Sequence, residues 1–444
     1  MSFSRLVMTL GAIAALTGCK LNEETKVKAI IGAVLIDGNG GPPITDSVVV
    51  ISGSRIRAAG LRANVPIPAG SDKINGSGKF LTPGLIDLHV HLGTRGGPKF
   101  QAADYTRERV EKNLNAYLYF GVTTVRSVGT ERDAGFAVRK AERDGALLSA
   151  RLFTAGRGFT AVGGHPSQEI GDIARQTDDP DDARKQVAEL AAQQVDCIKI
   201  WMDDLRGRQP KIKTAVVDAI LEEARKYSIP VTAHIFSLAD TEHLVNSGAA
   251  GFLHMVRDTE EIDPAFLAKL RALKLPFTPT LIRQELGWFY SQHPDRLDDP
   301  DVKRTVEPSV IQAVKEATRG KQPDERSREE FARAMRNTRR MAVAGVPIGV
   351  GSDGGSSIDF PGAMTHRELE LLIEAGLTPV EVITAATRNG ALALRKLDEL
   401  GTIEAGKRAD LLLLNANPLE DVRNFRKIDQ IMLNGEWIDR ARLK

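Results

Sequence analysis

Eight short apolar segments run in series through residues 81–399, each followed by a stretch of helical periodicity, and few folds accommodate such a series. The segments are LTPGLIDLHVHLG, GVTTVRSVG, ARLFTAG, VDCIKIW, IPVTAHIF, AGFLHMV, LPFTPTL and VPIGVGSDGG. Between them lie patterns such as DDARKQVAELAAQQ and TAVVDAILEEARKY, with apolar residues at helical spacing. Strands alternating with helices signal parallel βα units, and eight in a row predict an α/β fold of the (β/α)8, or TIM-barrel, type. The span exceeds the roughly 250 residues usual for that fold. A charged stretch at about 285–340 accounts for the excess and reads as a helical insertion between the seventh and eighth strands, placed to act as a lid.

The flanks have another texture. Residues 27–80 and 400–440 hold short apolar runs broken by turn signals, such as SGS at 52–54 and Asn434-Gly435. Together they predict one small β-sandwich domain assembled from both ends of the chain. Residues 1–19 have an early Arg5, an apolar stretch and a Leu16-Thr17-Gly18-Cys19 ending. That is the layout of a secretory signal, too short for a comfortable membrane span. The ending resembles a bacterial lipobox, which implies export, lipid on Cys19, and attachment to a bacterial membrane facing the periplasm or exterior. Cys197 is then left without a partner for an intramolecular disulfide.

Net charge is +2 and aromatic content 5%, which gives no reason to expect nucleic acid as a partner. A small-molecule substrate is the expectation. In a barrel of this type the active site lies at the C-terminal ends of the strands. His89 and His91, at i and i+2 of the first strand, point to the same face. Lys199 on the fourth strand, His234 on the fifth, His254 on the sixth and Asp353 on the eighth complete a polar set in otherwise apolar segments. Imidazole and carboxylate suit zinc and its neighbours, and the set has too many ligands for one tetrahedral ion and about enough for two. Lys199 is the misfit, because an ammonium has no lone pair and would be repelled by two dications. Taken alone it reads as a salt-bridge partner of Asp203 or Asp353. A buried neutral lysine can instead take up CO2 to form a carbamate, whose two oxygens bridge a pair of metals.

PGLIDLHVH, IKIW, VTAH, FLHM, GSD and the tail GTIEAGKRADLLLL together resemble the amidohydrolase superfamily, in its imidazolonepropionase/prolidase-like binuclear branch. The resemblance implies that His89, His91 and Asp353 hold the more buried metal and His234 and His254 the more exposed one, with carboxylated Lys199 between them and zinc the expected ion. Two cations sharing a water make hydroxide near neutral pH, and Asp353 would act as general base and then general acid. The expected activity is hydrolysis of an amide or peptide-type C–N bond, in a dipeptide or N-acyl amino acid. A cyclic amide or imide, or a lactone or phosphotriester, fits the same metal pair, and a solute- or metal-binding lipoprotein is the non-enzymatic alternative.

Substrate-side candidates are fewer. His165 sits in a Gly-rich loop, TAVGGHPS, where it can orient or polarise a carbonyl. Arg157, Arg257 and Arg283 follow strand ends and can clamp a carboxylate. His366 and Glu368 read as support behind the ligands, while His243 and His293 read as ordinary helical or insertion residues. The segment after Lys199, IKIWMDDLRGRQPKI, is charged and bulky where prolidase-like relatives often have a Gly-rich loop.

Overall fold

Alternation of β-branched apolar runs with capped amphipathic helices produces two kinds of sheet in the computed structural model, which describes residues 26–93, 105–355 and 358–443. The expectations about residues 1–19 and Cys19 lie outside the described residues. Among those residues no helix is long and apolar enough to cross a membrane.

The parallel strands lie in two runs. Leu85–Val90, Val122–Gly129 and Arg151–Arg157 pair in that order. Phe159–Thr160, Ile198–Trp201, Val231–His234, Gly251–Leu253 and Phe277–Thr278 continue in a second sheet. Asp196 N–H donates to the Thr154 carbonyl at 2.8 Å, across the gap between the two runs. The eighth apolar segment forms no regular strand. It is held as a bridge instead: Phe277 N–H reaches the Pro347 carbonyl at 2.9 Å, and Leu88 N–H reaches the Val350 carbonyl at 2.8 Å. Its glycines permit the approach, since a Cβ at Gly351 would lie 2.6 Å from His89 Cβ.

The helices between these strands start on designed signals. Asp179, Ser237 and Asp263 accept backbone N–H bonds at three N-termini, and Pro180 and Pro264 sit in first turns. Their apolar stripes, such as Val216, Val217, Ile220 and Leu221, are buried against the parallel strands in one large cluster. Between Phe277–Thr278 and residue 346 the chain is helical, in Leu281–Gln292, Pro300–Thr305, Pro308–Thr318 and Glu325–Val343. The helical segment thus begins four residues earlier than the charge pattern suggests, because LIRQELGWFY is apolar on the face it buries.

Both chain ends build the antiparallel part. A four-stranded sheet orders 55–61, 47–52, 27–31 and 72–75, and a five-stranded sheet orders 436–438, 428–433, 411–414, 80–83 and 34–35. Ile30, Val49 and Ile51 of the first share an apolar cluster with Leu81, Leu411, Leu413 and Met432 of the second. Residues 81–83, read from sequence as the head of the first parallel strand, pair instead with Leu411, Leu412 and Leu413, and the parallel strand starts after Gly84. Alternation within LLLL explains a second role for that strand: Leu412 and Leu414 belong to the large cluster, Leu411 and Leu413 to the small one.

Candidate metal centre

Strand ends of the parallel sheet bring the sequence-predicted groups together. His89 and His91 direct Nε2 at the same oxygen, Asp353 Oδ1, at 3.0 and 2.9 Å. The His89 and His254 rings are 4.9 Å apart, and those of His254 and His234 are 4.2 Å apart. Ligand atoms of His89, His254 and Asp353 all lie within 4.8 Å of one another. His89, His91, His234, His254 and Asp353 line one cleft of about 360 Å³.

Lys199 sits beneath them, fully buried, with no hydrogen-bond partner for Nζ. The salt bridge that Lys199 taken alone would suggest is not formed: Asp203 meets His234 Nε2 at 3.0 Å, and Asp353 is engaged by the histidines. Burial pushes the Lys199 ammonium down to about 7, with Arg126 adding to the effect and Asp353 opposing it. The charge of Lys199 also presses down on both His89 and His234, so it lies within electrostatic reach of both halves of the site. Trp201 closes the space on one side, its ring centroid 5.2 Å from Nζ. Gly158 packs against both side chains, since a Cβ there would lie 3.0 Å from Lys199 Cγ and 2.5 Å from the Trp201 ring.

These features fit divalent cations. A fully enclosed lysine nitrogen and the buried Nδ1 of His254 lack partners, which polar atoms in a protein interior rarely do. Burial pushes His89 down to about 3 and keeps its imidazole neutral, the form that binds metal. At Asp203 burial acts upward, but the His234 bond and the charge of Arg257 outweigh it and hold the carboxyl well below the usual carboxylate range.

His165 reaches the same cleft, its ring 5.5 Å from that of His234. Gln168 Nε2 donates to its Nδ1 at 3.1 Å, which leaves the ring hydrogen on Nε2. Arg257 and Arg283 also line the cleft, and Arg283 Nε lies 3.0 Å from Asp353 Oδ2. Arg157 does not: its guanidinium is spent on the carbonyls of Asp172 and Ile173. His366 donates to the Phe120 carbonyl at 2.8 Å, away from the cleft, and His243 pairs with Asp218 between helices. His293 packs its ring 5.3 Å from Phe289.

Several contributors escaped the sequence reading. Asp87 is fully buried and accepts from the N–H groups of His89 and Ser352, both at 3.1 Å, and from the Thr365 hydroxyl at 2.7 Å. It thereby ties the first strand to the turn carrying Asp353. Thr280 lies 3.0 Å from His89 Nδ1. Across the mouth, Arg206 of the bulky loop pairs with Glu330 of the insertion. Only the acidic residue in LID hinted at any of these, since it interrupts an apolar strand.

Comparison with known proteins agrees with this geometry. The chain matches the amidohydrolase family over residues 80–438. An ochratoxinase from Aspergillus niger is 24% identical, the match covering 91% of this chain and 84% of that protein. An imidazolonepropionase from Alkaliphilus metalliredigens is 23% identical, with 95% and 99% covered. A crystal structure of a Xaa-Pro dipeptidase with methionine bound in its active site superposes with a TM-score of 0.75 at 22% identity, covering 93% of this chain and 100% of that one, and so shares the fold. This chain therefore belongs to the amidohydrolase family and is a metal-dependent hydrolase acting on carbon–nitrogen bonds.

Proposed function

We propose that the eight parallel segments close into a (β/α)8 barrel whose C-terminal rim carries two metal ions, and that the enzyme hydrolyses a dipeptide or N-acyl amino acid. His89, His91 and Asp353 would hold one ion, His234 and His254 the other, and Lys199 as its carbamate would span them, zinc being the expected metal. When bound, such ions polarise a carbonyl and lower the pKa of water to near neutrality.

The chain's own groups supply the remaining chemistry. Asp353 has Oδ1 toward the histidines and Oδ2 toward Arg283. It takes the proton of the attacking water and returns it to the departing amine, as base and then acid. His165, neutral and with its hydrogen on Nε2, donates to the oxygen of the scissile carbonyl; burial, reinforced by the charge of His234, pushes this imidazole down to about 3. Arg257 and Arg283 supply positive charge at the cleft for the free carboxylate of the substrate. A dipeptidase among the structural neighbours supports a substrate of that kind.

One observation carries this reading: a fully buried, unpartnered Lys199 amine lies within electrostatic reach of His89, His234 and Asp353. The imidazolonepropionase relative supports a second reading, a cyclic amide on the same residues. A library of dipeptides, N-acyl amino acids and cyclic amides, assayed on metal-loaded protein, separates the two. Turnover is expected on carboxylate-bearing open amides, falling by about 10³-fold or more in Asp353→Asn, on the scale of acid–base contributions. Turnover on cyclic amides alone would replace the substrate class. Near-normal rates in Asp353→Asn would remove Asp353 from its role.

A further inference from the structure

The helix Leu281–Gln292 enters the site by its first turn. Thr280, just before it, is buried in a left-handed conformation with φ 52°. Its hydroxyl donates to the Thr278 carbonyl at 3.2 Å and lies 3.0 Å from His89 Nδ1. With the hydroxyl proton so engaged, the oxygen accepts from His89. With Nδ1–H given to Thr280, Nε2 is the ring atom left to bind a metal, and it lies 3.0 Å from Asp353 Oδ1. Three residues on, Arg283 holds the other carboxylate oxygen of Asp353 at 3.0 Å.

Between these two contacts, the N–H groups of Leu281 and Ile282 donate to a single carboxylate, Glu368, at 3.0 and 2.9 Å. A helix leaves its first N–H groups without internal partners, and Glu368 satisfies two of them from another element. It is fully buried and is not among the residues lining the cleft. Its neighbour Arg367 grips the same helix through Glu285, with bonds of 2.9 and 2.7 Å.

We infer that Glu368 is a positioning residue: by fixing the N-terminus of this helix it sets Thr280 against His89 and Arg283 against Asp353, and so orients both groups for metal. This rests on the metal-site reading above. A plain helix cap would affect stability alone, whereas a relay acts on metal affinity through Thr280.

Titration of the metal-free protein with Co²⁺, followed by visible absorbance, distinguishes them, with calorimetry confirming that each variant is folded. Glu368→Gln sets an amide nitrogen against backbone donors, and about 10- to 100-fold weaker Co²⁺ binding is expected, as for other groups behind metal ligands. Thr280→Val removes the hydroxyl at nearly constant shape and is expected to weaken binding similarly. Because the two act in series, the double variant should bind no more than about twofold worse than the weaker single variant. Where Glu368→Gln does not fold, Glu368→Asp is read in its place. Unchanged Co²⁺ affinity in folded Glu368 and Thr280 variants, or fully additive losses in the double variant, would overturn the inference and leave the metal site standing. A wild-type chain that takes up no Co²⁺ would end the metal reading and this inference with it.

Discussion

Lys199 shows how one side chain can be unreadable alone and informative in company. Its nitrogen is enclosed without a partner, and burial brings it down to about 7, toward the neutral amine that the proposed carbamate requires. Lys199→Ala is expected to abolish turnover and metal retention. A short carboxylic acid such as acetate or propionate, diffusing into the vacated space, should restore part of both, because it would stand in for the two oxygens of the proposed carbamate. Metal analysis and rates with and without the acid test this; full activity in the unsupplemented variant would exclude bridging. At this scale the residues that gather at the cleft were legible, because polar groups at strand ends stand out in apolar runs. Glu368 read as support behind them, but what it and Thr280 hold was not legible. The Thr280 bond to His89 spans 191 residues and the Glu368 bond to Leu281 spans 87, and nothing in a local pattern announces such pairs.

The strand Ile198–Trp201 illustrates what an element must do to carry such a residue. Val122–Gly129 and the turn before Phe159 approach it closely, at Gly129 and Gly158, where any side chain would strike the Trp201 ring. Gly158→Ala is therefore expected to push Trp201 and Lys199 off their rotamers, costing about 1–3 kcal/mol by overpacking and weakening Co²⁺ binding at least about 10-fold. Thermal melts and titrations read the two effects separately, and unchanged metal affinity would show that Trp201 can move without Lys199. Strand and helix periodicities were readable for most elements. The weakest was the eighth segment, where VPIGVGSDGG has strand composition yet is held only by bridges. Its glycines admit the neighbouring backbone at the cost of regular pairing. The start of the helical segment was also misjudged, since charge marks where a helix is exposed and not where it begins.

At the scale of the whole molecule, the strand Leu411–Leu414 matters most, since its alternate side chains enter two different apolar clusters. Leu412→Ala and Leu413→Ala should each cost about 2–5 kcal/mol, and calorimetry should show one transition in the wild type and in both variants. A separate early transition in Leu413→Ala would mean that the two clusters melt independently. That the two ends of the chain share sheets was suggested by composition, but which strand pairs with which was not. Phe80–Pro83 joins Leu411–Leu414 because partner choice depends on which faces remain to be covered after the parallel strands are built.

The same arrangement has a consequence for synthesis. Lys28 donates to the Gly435 carbonyl, 407 residues away. At the roughly 5–20 residues per second of a ribosome, the early strands wait on the order of 20 to 80 s for their partners. During that interval Ile30, Val49 and Ile51 lie on the sheet face that Leu411, Leu413 and Met432 will cover. Until those partners emerge, this apolar face is the part of the nascent chain most exposed to aggregation.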